Sequence, residues 1–400
     1  MQVAITGANF GNKGAQSMLF TTIALLRQHF PQVKIIFAHR GKACLQDKFL
    51  FEEVYYKNPL FKVPMKGSKI TPSSEIMWGS YEETLQAMKN SDLILDISGF
   101  TLGRKWGVKA SRGYLNKVRF ARALGVPIIL MPQSFGPFDF GDAQKELDEK
   151  ITDALSYPVK IFAREHDGYT PLHDRYKLNN VFWHPDIVLA APQINPTYIY
   201  KNVPEISAPK VLDASCVGIV LNLRSFDHSD NPWQTLQIYY EIINFLLKMD
   251  KVVYLFRHSI EDITPCKWLK SLFADNNRVI LWENNFSCLE YDVACKQFDF
   301  LIVGRFHGIV HAYRNNVPCL LMGWAVKYQE LAHLMNQSQY IFDITDPKLN
   351  VRDIFSAIND MDKNLALNKN ILRENLKQVQ KNFSCFDEAI EILNKIAGRE

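Results

Sequence analysis

Short apolar runs alternate with longer segments of helical period along nearly the whole chain, and this alternation constrains the fold more than any single motif. "QVAIT" at residues 2–6 reads as a buried strand, and "AQSMLFTTIALLRQHF" behind it places Met18, Leu19, Thr22, Leu25 and Leu26 at helical spacing. The same unit recurs through "DLILDIS", "PIILMPQ" and "VKIFARE". Strands separated by helices pair in parallel, because each helical crossover returns the chain to the end from which the last strand began. Residues 192–213, "PQINPTYIYKNVPEISAPKVLD", break the rhythm with four of the 18 prolines and no period, as a link between domains does. Alternation restarts at "CVGIVLNL" and continues through "KVVYLFRH", "RVILWE", "DFLIVG" and "PCLLMG". The expectation is an α/β chain of two facing domains, residues 1–195 and 210–364, with a helical segment, 365–400, packing back across them. Parallel sheets bind ligands beyond the carboxyl ends of their strands, so the cleft between the domains is the expected site.

Composition removes several function classes. Basic and acidic residues are interspersed, the net charge of the 400 residues is only +4, and no block of like charge suggests a nucleic-acid partner. The seven cysteines are odd in number and form no C-x-x-C, which points to reduced thiols without a zinc or disulfide frame. The chain opens directly on a strand, with no basic-then-apolar leader and no run near the ~20 apolar residues of a membrane span. A cytoplasmic protein is expected. Residues 103–122, "GRKWGVKASRGYLNKVRFAR", hold seven lysines and arginines and no acidic residue. They are either a peripheral contact to an anionic membrane surface or a solvated helix face.

The chemistry is expected at strand ends. In "DFLIVGRFHGIVHAY" a buried strand runs into Arg305 and His307 where a helix begins. If the segment stays extended, both side chains point the same way. Arginine, imidazole and a helix N-terminus together favour a phosphate or carboxylate. The alternative is an arginine paired with a carboxylate and a histidine capping its helix. His307 and His311 have i, i+4 spacing, but "HGIVH" lacks the internal glutamate and a third ligand, so no metal is expected. "GANFGNKGAQSM" offers Gly7, Gly11 and Gly14 for close backbone approach and Asn12 and Lys13 for hydroxyls or anions, or it is a plain tight turn. Asp96 lies in an apolar run where a carboxylate needs a partner, and Ser98, Gln133 and Ser134 are expected on the same rim. Arg164 and Glu165 in "FARE" pair with each other or with a ligand, and His184 and Asp186 in "HPD" read as a turn. Arg224 and Lys327 follow two more strands and, with Arg305, make the second-domain wall cationic.

These segments together resemble the polysaccharide pyruvyl transferase family. The resemblance runs from "GNKGAQSM" through "MPQSFGPF", "FARE", "HPD" and "VGRFHGIVHA" to "NVPCLLMGWAVKY". It departs at "DISGF", where many members have a glycine triplet, and at "KGAQ", where many have Gly-Asp; both lie in the N-terminal half, the expected acceptor side. The resemblance implies two facing Rossmann-like domains, similar to B-type glycosyltransferases. It also implies transfer of the pyruvyl group of phosphoenolpyruvate onto a sugar of a cell-surface glycan or its lipid-linked precursor, as a cyclic ketal. On that reading His307 is the general acid or phosphate partner, Arg305 holds one anion, and Arg224 or Lys327 the other. Asp96 is the candidate base, Asn12, Lys13, Gln133 and Ser134 contact substrate, and no cofactor is needed. Two other readings remain: a nucleotide-sugar glycosyltransferase of the same architecture, and a non-catalytic glycan-binding protein.

Overall fold

The computed structural model describes residues 1–40, 48–56, 81–212, 215–323 and 325–398. Its first sheet contains β1 (Gln2–Thr6), β2 (Lys34–Arg40), β3 (Glu52–Tyr56), β4 (Leu93–Asp96), β5 (Phe100–Leu102), β6 (Ile128–Phe135), β7 (Lys160–Ala163) and β8 (Val181–Trp183). They pair in the order β3-β2-β1-β4-β6-β7-β8, with β5 on β6. The second sheet contains β9 (Cys216–Val220), β10 (Val252–Phe256), β11 (Val279–Trp282), β12 (Phe300–Val303), β13 (Cys319–Met322) and β14 (Ile341–Phe342), in the order β11-β10-β9-β12-β13-β14. Every pairing is parallel. This is the expected α/β architecture. β3, β5, β8 and β14 are additional strands that the alternation does not show, because they are short or, in β8 and β14, half open to solvent.

The central strands are buried on both faces, which is why β9 and β12 read as apolar runs throughout and β4 and β6 do so up to Asp96 and Gln133. The helix Lys13–His29 is buried from Lys13 through Leu26, polar residues included. Its first turns are polar because they face the second domain. Lys13 Nζ donates to Asn285 Oδ1 at 2.8 Å, and the Cys288 amide donates to Gln16 Oε1 at 2.8 Å. His311 Nε2 and Ser17 Oγ lie 2.7 Å apart. The loop before this helix is joined to the loop after β10 by Ile260 N–H···O=C Gly11 at 3.1 Å.

The helix Val351–Lys363 stays with the second domain, where Asp362 pairs with Lys251 at 2.6 Å. The helices Leu365–Lys381 and Asp387–Ile396 return toward the first. There the Ser384 amide donates to His184 Nε2 at 3.3 Å and Glu388 meets Lys160 at 2.8 Å.

Residues 103–122 do not form a free basic face. Arg104 pairs with Asp139, Arg112 with Glu146, Lys117 with Asp96, and Arg119 and Arg122 both with Asp153. Three of these five partners' links run to the helix Gln144–Leu155, which packs against the basic helix Gly107–Leu124 and supplies the acids its own sequence lacks. The sequence-based membrane-docking face is therefore largely neutralised within the fold.

Candidate functional site

The strand ends of the two sheets enclose a cavity of about 300 Å³, lined from the loops after β1, β4 and β7 on one side and β9, β10, β12 and β13 on the other. Five lysines and arginines and three histidines line it, and no carboxylate does among the described residues. A cavity walled by one sign of charge favours an anion electrostatically, although Arg164 and Arg305 already have carboxylates behind the wall.

The second-domain wall is organised by Arg305. β12 ends at Val303, Arg305 is the extended cap residue, and the helix Phe306–Arg314 follows. His307 is thus already helical, and the expectation that Arg305 and His307 point the same way fails for that reason. Arg305 turns into its own domain, donating to Asp262 from Nε at 2.8 Å and from Nη2 at 2.6 Å, and to Glu261 at 2.7 Å. Only Nη1 takes no part in these bonds. His307 turns the other way, with Nε2 3.1 Å from Asp186 Oδ2 in the first domain. Gly14 makes this possible: a Cβ there would lie 2.2 Å from His307 Cγ.

Asp186 is the hinge of the first-domain wall. It caps the helix Ile187–Ala190 through the Val188 amide at 2.9 Å, accepts from Arg164 Nη1 at 2.7 Å, and backs His307. Burial pushes its carboxyl up, but the neighbouring His307 and Arg164 outweigh that and hold it well below the usual range. Burial pushes His307 down from the ordinary histidine value, with Asp186 opposing. Arg164 is fully committed, to Glu165 at 2.9 Å, Ser134 at 2.6 Å and the Gly99 carbonyl at 3.2 Å besides Asp186, and its plane lies 4.2 Å from the Phe306 ring centre.

Two cations remain uncommitted. Lys327 has no hydrogen bond or ion pair among the described residues and sits among the rings of Phe100, Phe306 and Tyr328, 5.4–5.7 Å from their centres. Burial, with Arg164 adding to it and Glu165 opposing, lowers its pKa to about 7. Arg224 is exposed and lies over the Trp106 ring at 5.0 Å, reaching across the cleft.

Beside this cavity lies a larger one of about 790 Å³, which shares Phe100, Lys105 and Lys327 with it. Its walls differ: Phe135, Phe138 and Pro137 supply apolar surface, and Glu165, Asp167, Asp174 and Asp343 supply carboxylates. Glu165 Oε1 accepts from both Arg164 and Ser134 at 2.9 Å, while Oε2 takes no bond from the described residues. One oxygen is pinned and the other is free.

The sequence profile of the polysaccharide pyruvyl transferase family matches residues 12–325, most of the chain and both walls of the cleft. The chain belongs to this family. No curated protein matches it in sequence. Solved structures match it in fold. UDP-GlcNAc 2-epimerase from Methanocaldococcus jannaschii superposes with a TM-score of 0.54 at 12% identity, over 90% of this chain and 92% of that one. The Neisseria meningitidis UDP-GlcNAc 2-epimerase bound to UDP-GlcNAc gives 0.54 at 11% identity, over 99% and 100%. An E. coli trehalose-6-phosphate protein bound with UDP-2-fluoro glucose gives 0.52 at 10%, over 98% and 99%. The chain thus shares the architecture of B-type glycosyltransferases and UDP-GlcNAc 2-epimerases.

Of the residues expected from the sequence to act, the fold brings Arg305, His307, Arg224, Lys327 and Asn12 to the small cavity. Asn12 spends its side-chain oxygen on the amides of Gly14 and Ala15, at 2.9 and 3.4 Å. Ser134 lines the larger cavity. Three residues line neither. Asp96 is 0% exposed, accepting from Thr6 at 2.6 Å and paired with Lys117, so it has no edge left for an acceptor hydroxyl. Gln133 is buried beside it and accepts from Tyr114 at 2.9 Å. Lys13, bound to Asn285, is lowered by burial to about 8. The fold adds Asp186, Arg164, Glu165, Trp106 and His258. The signal for the first three was present in "FARE" and "HPD", which end neighbouring strands. His258 follows β10 in "FRHS" much as His307 follows β12.

Proposed function

We propose that this pyruvyl transferase moves the pyruvyl group of phosphoenolpyruvate onto a sugar diol as a cyclic ketal, with the donor in the small cavity and the acceptor in the larger one. The observation that supports this most is the division of the cleft: a compact cavity with basic walls and no carboxylate, opening past Lys327 into an aromatic and acidic one. Phosphoenolpyruvate carries a phosphate and a carboxylate on three carbons, and a small cavity with two uncommitted cations and a spare Arg305 Nη1 suits both. A neutral polyol suits aromatic faces and hydrogen-bonding carboxylates.

On this reading His307, backed by Asp186, donates a proton to the methylene carbon, and cationic character develops at the carbon bearing phosphate. An acceptor hydroxyl attacks that carbon as Glu165 Oε2 takes its proton. Phosphate leaves, neutralised by Lys327 and Arg224, and a second hydroxyl closes the ring. The two hydroxyl protons end on the new methyl group and on phosphate. The protein's own cations suffice to stabilise the leaving group, so the scheme uses no metal or cofactor. The donor is a cytosolic metabolite, which places the reaction in the cytoplasm, with a glycan or its lipid-linked precursor as acceptor.

Phosphate release from phosphoenolpyruvate, followed against a panel of free, aryl and lipid-linked glycosides, tests the whole reading. Acceptor-dependent release with a ketal product is expected. Thermal stabilisation by nucleotide-sugars but not by phosphoenolpyruvate would favour the glycosyltransferase reading instead.

A further inference from the structure

β10 ends at Phe256, and two residues later the chain sets an imidazole against the cation-lined cavity. His258 is 1% exposed, and neither of its ring nitrogens has a hydrogen-bond partner among the described residues. Buried polar groups nearly always find a partner, and an imidazole that lines a cavity with both of its buried nitrogens unbonded has its N–H and lone pair left for a ligand. Its backbone is fixed: the His258 carbonyl accepts from the Lys13 amide at 3.3 Å, and the next residue, Ser259, donates its amide to Asp262 Oδ2 at 2.9 Å.

Most of the charged groups around it have partners, while the Tyr291 hydroxyl has no hydrogen bond among the described residues. Lys13, from the first helix, is bound to Asn285. Asp262, from the turn after His258, is taken by Arg305. His311 is held between Ser17 and Asp292, each at 2.7 Å, and its ring meets that of His258 at 5.6 Å. Tyr291 packs edge-on at 5.0 Å. His307 Nε2 lies 3.1 Å from Asp186 Oδ2, close enough for an ion pair but not aligned as a hydrogen bond. Burial, together with the positive fields of His311, His307, Arg305 and Lys13, keeps the imidazole neutral while the site is empty.

We propose that His258 is a further ligand of the donor's phosphate, and that it takes up a proton from solvent as the dianion enters. This rests on the reading of the small cavity as the donor site. A neutral imidazole offers an incoming anion one lone pair, which repels it, and one N–H. A dianion beside the ring reverses the local field and favours the imidazolium, which offers two N–H donors. The balance is protein plus dianion plus one proton giving the complex. The sign follows: binding takes up a proton, so affinity falls as pH rises, by up to tenfold per unit between the free and bound pKa values of the ring. The empty cavity carries one charge fewer, and the missing charge arrives only with the ligand.

Calorimetry at pH 7.5 on the full chain carrying Lys327→Arg, whose cation takes up no proton of its own, with phosphoenolpyruvate and separately with inorganic phosphate, in buffers of differing ionisation enthalpy, measures the uptake. This parent is expected to show it. Adding His258→Asn is expected to lower the uptake by about one proton and to weaken binding about tenfold, while adding His307→Gln leaves the His258 share in place. Uptake undiminished in the folded His258→Asn chain, or abolished by His307→Gln alone, overturns the proposal and leaves the donor reading standing. If neither the wild type nor this parent binds either anion, the donor reading falls first. Imidazole nitrogen NMR, with the His258 signals assigned as those missing from His258→Asn, gives a second test: passage of those signals from neutral to imidazolium on titration supports the proposal, and no such change overturns it.

Discussion

The two cavities of the cleft are neighbours with opposite chemistry. The smaller has basic walls, and the carboxylates that hold those walls, Asp186, Asp262 and Glu261, stand behind them rather than in the cavity. The larger exposes its carboxylates directly among aromatic rings. The same residue types therefore do different work according to which side of the wall they occupy. In the smaller cavity the acids buffer the cost of burying arginines. In the larger one they form the wall itself, and Glu165 keeps Oε2 unbonded among the described residues. Lys327 lines both and belongs to neither set of pairs, which on the proposed reading makes it the point where donor and acceptor meet.

The strongest way to break this contrast is to remove the arginine that spans scaffold and ligand. Arg305 is 8% exposed and Asp262 is 0% exposed, so Arg305→Ala leaves a buried carboxylate without its partner. A loss of about 3–5 kcal/mol of unfolding free energy is expected, with donor affinity falling below detection. Denaturant titration and calorimetry with phosphoenolpyruvate check the two effects. The double variant Arg305→Met with Asp262→Leu is expected to recover much of the stability and none of the affinity. Recovery of both sinks the assignment of Nη1 to the donor.

Next in size is the carboxylate on the other side. Glu165→Gln keeps an oxygen for Ser134 and Arg164 but cannot take a proton. Turnover is expected to fall by about 10²–10⁴-fold, the range for a lost general base, while phosphoenolpyruvate affinity changes by less than about threefold. Equal losses in affinity and turnover point to a collapsed Arg164 network, and the two cavities then cease to be functionally separate.

These predictions name residues that the sequence places and residues that only the fold does, and the difference has a cause. The parallel sheets were legible because β4, β6, β9 and β12 are buried on both faces and so are apolar except at the carboxyl ends of β4 and β6, where Asp96, Gln133 and Ser134 sit. The strand ends were legible for the same reason, since a charge after an apolar run marks the edge of burial. Pairing was not. Asp96 and Lys117 are 21 positions apart and Arg305 and Asp262 are 43 apart, and nothing local says that the first pair closes inside a domain while the second shapes the cavity. The bases of residues 103–122 lacked local acids and found them on another helix. Asp186 looked like a turn residue and is one, capping its helix, but its second oxygen also holds Arg164 and His307. His258 was hidden because its distinguishing property, two unpaired nitrogens, exists only once the core has closed around it.

Lys327 tests the boundary itself. It has no partner to lose, so Lys327→Gln is expected to leave the melting temperature within a few degrees and to weaken donor binding by about 10–100-fold, one charge-assisted bond. Its lowered pKa of about 7 gives a sign as well. The protonated amine binds the anion, so kcat/KM for the donor, which reports the free protein, is expected to fall as pH rises through about 7. Lys327→Arg stays charged and is expected to lack that limb. A wild-type profile flat from pH 6 to 9 removes Lys327 from the donor's contacts.

The smallest effect sharpens the comparison across the cleft rather than between the cavities. Arg224 belongs to the second domain and Trp106 to the first, and their contact, with the guanidinium 5.0 Å from the ring, closes the small cavity toward solvent. Because Arg224 is exposed, a cation–π contact there is worth only about 0.5–1 kcal/mol, so Trp106→Ala is expected to weaken phosphoenolpyruvate binding about two- to fivefold and Trp106→Phe by less. Arg224→Ala removes both the stack and a charge near the anion and is expected to cost more than Trp106→Ala. Calorimetry on the two single variants and the double one decides between two roles for the arginine. If Arg224→Ala costs no more than Trp106→Ala, and the double variant no more than either, Arg224 is a stacked surface residue and the anion is held by Lys327, Arg305 and the histidines alone. If Arg224→Ala costs more, and the cost persists without Trp106, the charge itself reaches the donor, and the second domain supplies the outer wall of the cavity as well as its floor.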